Sequence, residues 1–257
     1  MCLILFAWRP RNDFPLVVAA NRDEFHGRLS EGAAFWRDHP QILAGRDLEC
    51  MGTWLGVTRS GRFAAITNYR DMTDQREGKH SRGLIASRFL EAELSAREFV
   101  AAIAAEGDDY RGFNLLAADR DEFWWVSNRD GRPRLLDPGV YGLSNHLLET
   151  PWPKVQRGKA RLTRILADAP TVEDLLDLLG DTTQAPDAEL VHTGTGIERE
   201  RRLSAAKIVS PEYGTRCSSA VIAEGSGRLQ FAERSYDAAG EAQQTLRYEL
   251  SIGELNS

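Results

Sequence analysis

The sequence predicts an α+β fold, most simply two packed antiparallel sheets with helices on their outer faces. Three observations lead there. Apolar runs of strand length occur in pairs around short connections rich in turn residues. Helical periodicity is confined to two blocks. The resulting order is strands, two helices, strands, two helices, strands. The 257 residues, 42% hydrophobic and 27% charged, suffice for a large core. They show no repeat, low-complexity tract or linker, so one domain over residues 1–257 is expected.

The first pair of runs, residues 3–8 and 16–20, flanks Arg9-Pro10-Arg11-Asn12-Asp13-Phe14-Pro15 and reads as an antiparallel hairpin. A turn centred near Arg11 and Asn12 sets Cys2 opposite Asn21. Residues 53–58 and 62–67 form a second hairpin around Arg59-Ser60-Gly61. Two helices follow. The first covers 81–93, with Leu84, Ile85, Phe89 and Leu90 on one face and Ser81 as cap. The second covers 95–106, with Phe99, Val100 and Ile103. Strands are expected at 113–118, 122–127, 134–136 and 140–143. A helix over 152–167 tolerates Pro151 and Pro153 at its start. Another over 171–179 is capped by Thr171 and stopped at Gly180. Residues 181–196 read as loop. Strands at 218–223, 228–233 and 245–251 close the chain as a meander.

The formal net charge of −6 argues against nucleic acid as a partner, because duplex affinity rests on cationic patches. Acids interrupt the densest basic cluster, Arg199-Glu200-Arg201-Arg202. Cys2, Cys50 and Cys217 make no disulfide framework and suit a reducing compartment. The first apolar run is too short, and too soon followed by Arg-Pro-Arg, for a leader. No run approaches the ~20 apolar residues of a spanning helix. A cytoplasmic protein is expected.

Cys2 is the residue with the most chemistry. After removal of Met1, expected before a small second residue, its thiol shares a residue with a free α-amine. The ordinary pKa values are about 8.5 and about 7.7–8.0, so the amine is a built-in base and a nearby cation makes a nucleophile. Asn21-Arg22-Asp23-Glu24 ends the facing strand. Opposed residues have Cβ atoms roughly 4.5–5.5 Å apart, which brings Arg22 and Asp23 beside thiol and amine. The competing reading is a buried structural cysteine above a solvated hairpin end. Asn68 and Asn145 stand where two later strand runs stop. Either is an ordinary turn former, or a side-chain amide able to steady an oxyanion or orient the amine.

These residues sit in motifs that resemble the NRDE family, also called the transport and Golgi organisation type-two family. The tetrad is followed by Gly52-Thr53-Trp54-Leu55-Gly56-Val57, Ile66-Thr67-Asn68-Tyr69-Arg70 and Gly112-Phe113-Asn114-Leu115-Leu116. Then come Gly142-Leu143-Ser144-Asn145, Pro151-Trp152-Pro153-Lys154 and Tyr213-Gly214-Thr215-Arg216. That family is similar to the N-terminal nucleophile (Ntn) hydrolases, which implies a four-layer α-β-β-α sandwich. Within them the chain most resembles the penicillin V acylase and bile salt hydrolase group. The resemblance implies hydrolysis of a linear, non-peptide amide of a small, acylated substrate. It places Cys2 as nucleophile, Arg22 beside it, Asn68 and Asn145 at the asparagine positions and Arg216 at a distal arginine. The acylase pattern is Arg-Asn-x-Asp, whereas Asp23 and Glu24 follow Arg22 directly, so either acid is a candidate for the amine; Asp23 is the catalytic candidate of the two. Asn21, Glu24, Trp54, Tyr69 and His146 are the candidate substrate-binding residues.

The family resemblance also implies a second class of function, a non-catalytic protein for haem trafficking or for acyl-coenzyme A or lipid binding. Such a carrier needs an apolar pocket and, for haem, an axial histidine. His26, His39, His80, His146 and His192 are dispersed, none at metal-ligand spacing, so no metal site is expected and no cofactor is required by the hydrolase reading. Thr193-Gly194-Thr195-Gly196 lacks the strand–loop–helix frame of a phosphate loop.

Overall fold

The computed structural model describes residues 2–73 and 78–252. Two antiparallel sheets stack face to face, with helices outside each. The first sheet is built on β1 (Cys2–Arg11) and β2 (Phe14–Phe25). To these it adds β10 (Gly139–Leu143), β11 (Tyr213–Ala223), β12 (Arg228–Tyr236) and β13 (Ala242–Ser251), in the order β10-β1-β2-β11-β12-β13. The second runs in chain order from β3 (Ser30–Phe35) and β4 (Ile42–Asp47) through β5 (Leu55–Thr58), β6 (Phe63–Asn68), β7 (Phe113–Ala118) and β8 (Phe123–Ser127) to β9 (Arg134–Leu135).

The first hairpin is tighter than its sequence suggests, and its register differs. Arg11 pairs with Phe14, so the turn is Asn12-Asp13. Trp8 pairs with Leu16, so Arg9 and Pro10 together face Pro15 in a bulge, with Arg9 at φ 42. Proline has no N–H for the ladder, which suits it to a bulge. The turn shift moves the pairing by two residues and the bulge takes one back, so the ladder sets Cys2 opposite Arg22 rather than Asn21. β3 and β4 were not expected. β3 is a polar edge strand, Ser-Glu-Gly-Ala-Ala-Phe, and Gly45 cuts the apolar run of β4.

Helices α1 (Gly83–Glu91) and α2 (Ala96–Ala105) pack on the second sheet, α3 (Pro153–Ile165) and α4 (Val172–Leu179) on the first. Ser95 with Glu98 and Thr171 with Asp174 form reciprocal caps that satisfy first-turn N–H groups. Ser81 does not cap α1. Arg82 holds the position before the helix, without a side-chain cap bond. Charged α5 (Ile197–Leu203) lies beyond the expected loop; only Glu200 and Leu203 are buried there, so it carries no apolar period to read.

The core divides into three layers. Ile4, Phe6 and Val18 meet Val57, Phe63, Leu116 and Phe123 between the sheets, where the Phe6 and Phe123 rings stack at 4.9 Å. Ile85, Phe89, Phe99 and Val100 cover the outer face of the second sheet. Val155, Leu162, Leu175 and Leu179 cover the first over Leu3, Leu5, Val17 and Ala19. With both faces of β1 buried, its sequence is a continuous apolar run rather than an alternating one. By alternation Cys2 and Arg22 share the inter-sheet face with Ile4, at the end of the seam. There the chain approaches itself closely: a Cβ on Gly52 would lie 2.4 Å from the carbonyl carbon of Gly83.

Candidate active site

Cys2 begins β1, half-buried. Its backbone N–H donates to Asn145 Oδ1 at 3.2 Å. Its carbonyl accepts from Ser144 Oγ at 2.9 Å. Both partners follow β10, the neighbour of β1. Asn145 Nδ2 donates in turn to the carbonyl of Asn68 at 2.8 Å, and Thr67 Oγ1 to the carbonyl of Ser144 at 2.9 Å. Asn68 ends β6, so Asn145 ties the strand that begins with Cys2 to the end of a strand in the opposite sheet. Four backbone and side-chain groups of Asn145 and Ser144 are spent on this clamp.

Arg22 lies across from Cys2 and is buried. Its guanidinium stacks 4.2 Å from the centre of the Trp54 ring, 3.5 Å from the Asp47 carboxylate and 3.4 Å from Ser30 Oγ. A flat cation held on a ring face is the geometry arginine provides and lysine does not. Burial pushes the Cys2 thiol up from its ordinary pKa. The Asp23 carboxylate pushes the same way, whereas the Asp23 backbone N–H and the Arg22 charge pull it back. Cys217 also pairs with Arg22, from the other side, and is buried.

The two acids of the tetrad separate by environment. Asp23 is 1% exposed. Its Oδ1 accepts from Thr215 Oγ1 at 2.6 Å and its carbonyl from the Tyr213 hydroxyl at 2.9 Å. Burial raises its pKa, and Lys154, the Thr215 bond and Arg70 restrain the rise. Glu24 lines the pocket, partly exposed, with Oε1 accepting the N–H of Phe25 at 2.9 Å. Asp23, not Glu24, is therefore the buried acid beside Cys2. Lys154 and Arg70 escaped the sequence reading although both stand in quoted motifs. Lys154 follows Pro153 in the first turn of α3 and is buried. Arg70 pairs with buried Glu200 at 3.0 Å over the Trp152 ring. Only the sequence oddity of a lysine at a helix N-terminus, where the dipole disfavours a cation, hinted at it.

Cys2, Arg22, Glu24, Trp54, Asn68 and Arg82 line one cavity of about 120 Å³. Asn68 lines it, and its side chain has no hydrogen-bond partner among the described residues. The structure does not bring every candidate here. Asn21 is turned to the helix face, where Nδ2 donates to the carbonyls of Leu179 and Ala206 and Oδ1 accepts from Ser218. Its register neighbour Leu3 packs in the same helix-side core while Cys2 and Arg22 share the other face, so Asn21 is a structural clamp. Arg216 donates to the carbonyls of Phe25, His26 and Arg28 and holds the turn after β2 rather than lining the pocket. Tyr69 and His146 bond each other at 2.8 Å, and the other His146 nitrogen meets Thr150 Oγ1 at 2.9 Å. They lie behind Asn68 and Asn145 and outside the cavity lining. Among the described residues no group of three His, Cys, Asp or Glu is placed to hold a metal ion, and no helix is long and apolar enough to cross a membrane.

A model of the family Transport and Golgi organisation 2 matches residues 1–238. The chain is 37% identical to the Transport and Golgi organization protein 2 homolog of Bos taurus, over 91% of this chain and 93% of that one. It is 34% identical to the Transport and Golgi organization 2 homolog of Mus musculus, over 98% and 99%. Among solved structures, the C2A mutant of conjugated bile acid hydrolase from Clostridium perfringens superposes with a TM-score of 0.52 at 9% identity, covering 100% of both chains. The fold is thus that of the Ntn hydrolases.

Proposed function

The chain belongs to the Transport and Golgi organisation 2 family, and on that premise we propose that it is an N-terminal-nucleophile hydrolase of linear amides with an apolar acyl group. The likeness to a bile acid hydrolase is one of fold; the chemistry is argued from the pocket. What carries the reading is that Cys2, which holds a thiol and the nitrogen that becomes the α-amine in one residue, lines the cavity. Arg22 stands across from Cys2 and Asn145 Oδ1 is on the nitrogen at 3.2 Å.

With Met1 removed, the α-amine takes the thiol proton as sulfur attacks the amide carbonyl carbon. The carbonyl π electrons move to oxygen, and the amide N–H groups of the lining residue Asn68 meet the oxyanion. Asn145 is committed to the Cys2 nitrogen and the Asn68 carbonyl, so it orients rather than stabilises charge. The ammonium passes its proton to the leaving nitrogen, the C–N bond breaks, and a thioester remains. Water then attacks with the amine again as base, freeing the acid and the thiol. Phe25, Leu29, Leu48 and Met51 are exposed apolar side chains next in the chain, or nearly so, to the lining residues Glu24, Arg28 and Asp47. They offer an acyl chain a surface beyond a cavity that admits only the amide. A haem reading draws less support, because both His146 nitrogens are engaged and the cavity is small against the 300–1,000 Å³ of ordinary ligand sites.

The test is intact-mass spectrometry of the Met1-free protein incubated with N-acyl amides of short, medium and long chain. An acyl adduct on Cys2, absent in Cys2→Ala and accumulating about a hundredfold more slowly in Asn68→Ala, is the expected result. No adduct and no released acid with any chain length, while Cys2 still alkylates with iodoacetamide, overturns the reading.

A further inference from the structure

The seam between the sheets has a second end. Trp8 stands six residues along β1 from Cys2, about 20 Å away at the rise of a strand. There Gly61, Arg120 and Gly225, from the turns β5–β6, β7–β8 and β11–β12, line a cavity of about 260 Å³. It is more than twice the size of the cavity at Cys2, about 120 Å³. Its floor is Trp8, Leu16, Val57, Phe63 and Leu229, all buried. Gly61, at φ 87, has no side chain with which to close the gap, and a Cβ there would lie 2.6 Å from Ile252 Cγ2. An apolar cavity of about 150 Å³ takes up benzene, so this one has room for a ligand of about ten non-hydrogen atoms.

Four charged side chains line this cavity, and three of them are spent on the fold. Arg62 donates from Nε to the carbonyl of Phe89 at 3.1 Å and from Nη2 to that of Leu94 at 2.8 Å. Asp119 accepts the N–H groups of Ala96, Asp121 and Glu122. Glu224 accepts from Arg228, Gln230 and Ser226. Arg120 differs. It is exposed, Nε donates to the carbonyl of Ser60 at 3.2 Å, and its two Nη atoms have no partner among the described residues. Arg9 stands beside it. Its Nη2 donates to the Arg120 carbonyl at 2.9 Å, and its guanidinium lies 4.7 Å from the centre of the Trp8 ring. Among the described residues no carboxylate pairs with it. The bulge holds Arg9 at φ 42, a left-handed backbone that a residue with a long side chain adopts at a cost. Bulges re-aim side chains, and this one brings a second guanidinium to the edge of an apolar cavity.

We propose that this cavity is a second binding site, separate from the Cys2 pocket, for a monocarboxylate with an apolar body: the body lies on the floor and the carboxylate meets the open fork of Arg120, with Arg9 beside it. Apolar walls with a few polar groups at one edge are the usual form of a small-molecule site. A planar carboxylate matches the guanidinium fork with two parallel bonds. A cationic ligand finds no open acid, because Asp119 and Glu224 are already bonded. The inference uses neither Cys2 nor amide cleavage.

The experiment is isothermal titration calorimetry of octanoate and of octan-1-ol into the full chain. The proteins are wild type, wild type alkylated at Cys2 with iodoacetamide, Arg120→Gln, Arg9→Gln/Arg120→Gln and Ala223→Phe. Octanoate should bind once per chain, about tenfold more tightly than octan-1-ol. Arg120→Gln should weaken octanoate about tenfold and leave octan-1-ol unchanged, and the double variant should weaken octanoate further. Ala223 is buried and lines the cavity, so Ala223→Phe fills it and should abolish binding of both. Alkylation of Cys2 should change neither affinity. If Ala223→Phe does not fold, the variants of the exposed arginines decide alone. No saturable binding of octanoate up to about 10 mM overturns the inference. So does an unchanged octanoate affinity in the double arginine variant. Loss of binding on alkylation of Cys2 overturns it too, because that places the acid in the other pocket.

Discussion

Asn145 holds Cys2 by its backbone: Oδ1 accepts the Cys2 N–H at 3.2 Å while Nδ2 donates to the carbonyl of Asn68 at 2.8 Å. One side chain thus joins the first residue of the first sheet to the last residue of β6 in the second. Asn145→Ala leaves a buried carbonyl without its donor and the Cys2 nitrogen without its acceptor. It should cost about 2–4 kcal/mol in urea unfolding. A stability loss below about 1 kcal/mol would mean the clamp is not structural.

Arg22 acts on the thiol by charge and on Trp54 by shape. Arg22→Ala should move the Cys2 alkylation profile to higher pH, because the cation that lowers the thiol pKa is gone. Arg22→Lys keeps charge but not the flat stack at 4.2 Å and should retain part of the reactivity. Asp47 keeps Arg28 at 2.6 Å in either variant. The stability loss should therefore stay at about 1–2 kcal/mol. Superimposable alkylation profiles for wild type and Arg22→Ala would remove Arg22 from the site.

Gly52 sets where α1 begins. An added Cβ meets the Gly83 carbonyl carbon at 2.4 Å, backbone that no rotamer change relieves. Gly52→Ala should cost about 1–3 kcal/mol by thermal or denaturant melt. It should also slow acyl-adduct formation, since Thr53, Arg82 and Gly83 line the cavity. An unchanged melting midpoint would show that the two segments yield freely.

His146 makes stability depend on pH. Burial lowers its folded pKa, and the unfolded value is about 6.5. Below about pH 6.5 the unfolded chain binds the proton and the folded one does not, so stability is present above that pH and is lost as pH falls towards the folded pKa. His146→Gln removes this contribution. The drop in urea midpoint between about pH 7.5 and about pH 5.5 should be smaller in the variant than in wild type. Equal drops would place the acid sensitivity elsewhere.

Local pattern alone determined much of this molecule. Periodicity and turn chemistry located four of the five α-helices among the described residues, the capping residues Ser95 and Thr171, and most strands, because each depends on neighbours a few residues away. A second-position cysteine and the Asn21–Glu24 tetrad marked the end of the seam where the pocket lies. Tertiary structure decided the rest. Cys2 faces Arg22 rather than Asn21 because the turn at Asn12-Asp13 moves the pairing by two residues and the bulge at Arg9-Pro10 takes one back, and a shift of one residue exchanges the two faces of a strand. That exchange turned Asn21 to the helices and left Arg22 with the thiol. Burial separated Asp23 from Glu24, adjacent acids that the sequence cannot rank. The charge of Lys154 acts on Asp23 although 131 or more residues separate it in the chain from Cys2 and Asp23. Only the packing of α3 on the first sheet brings its charge to them, and an uncompensated charge is felt through space, not along the chain.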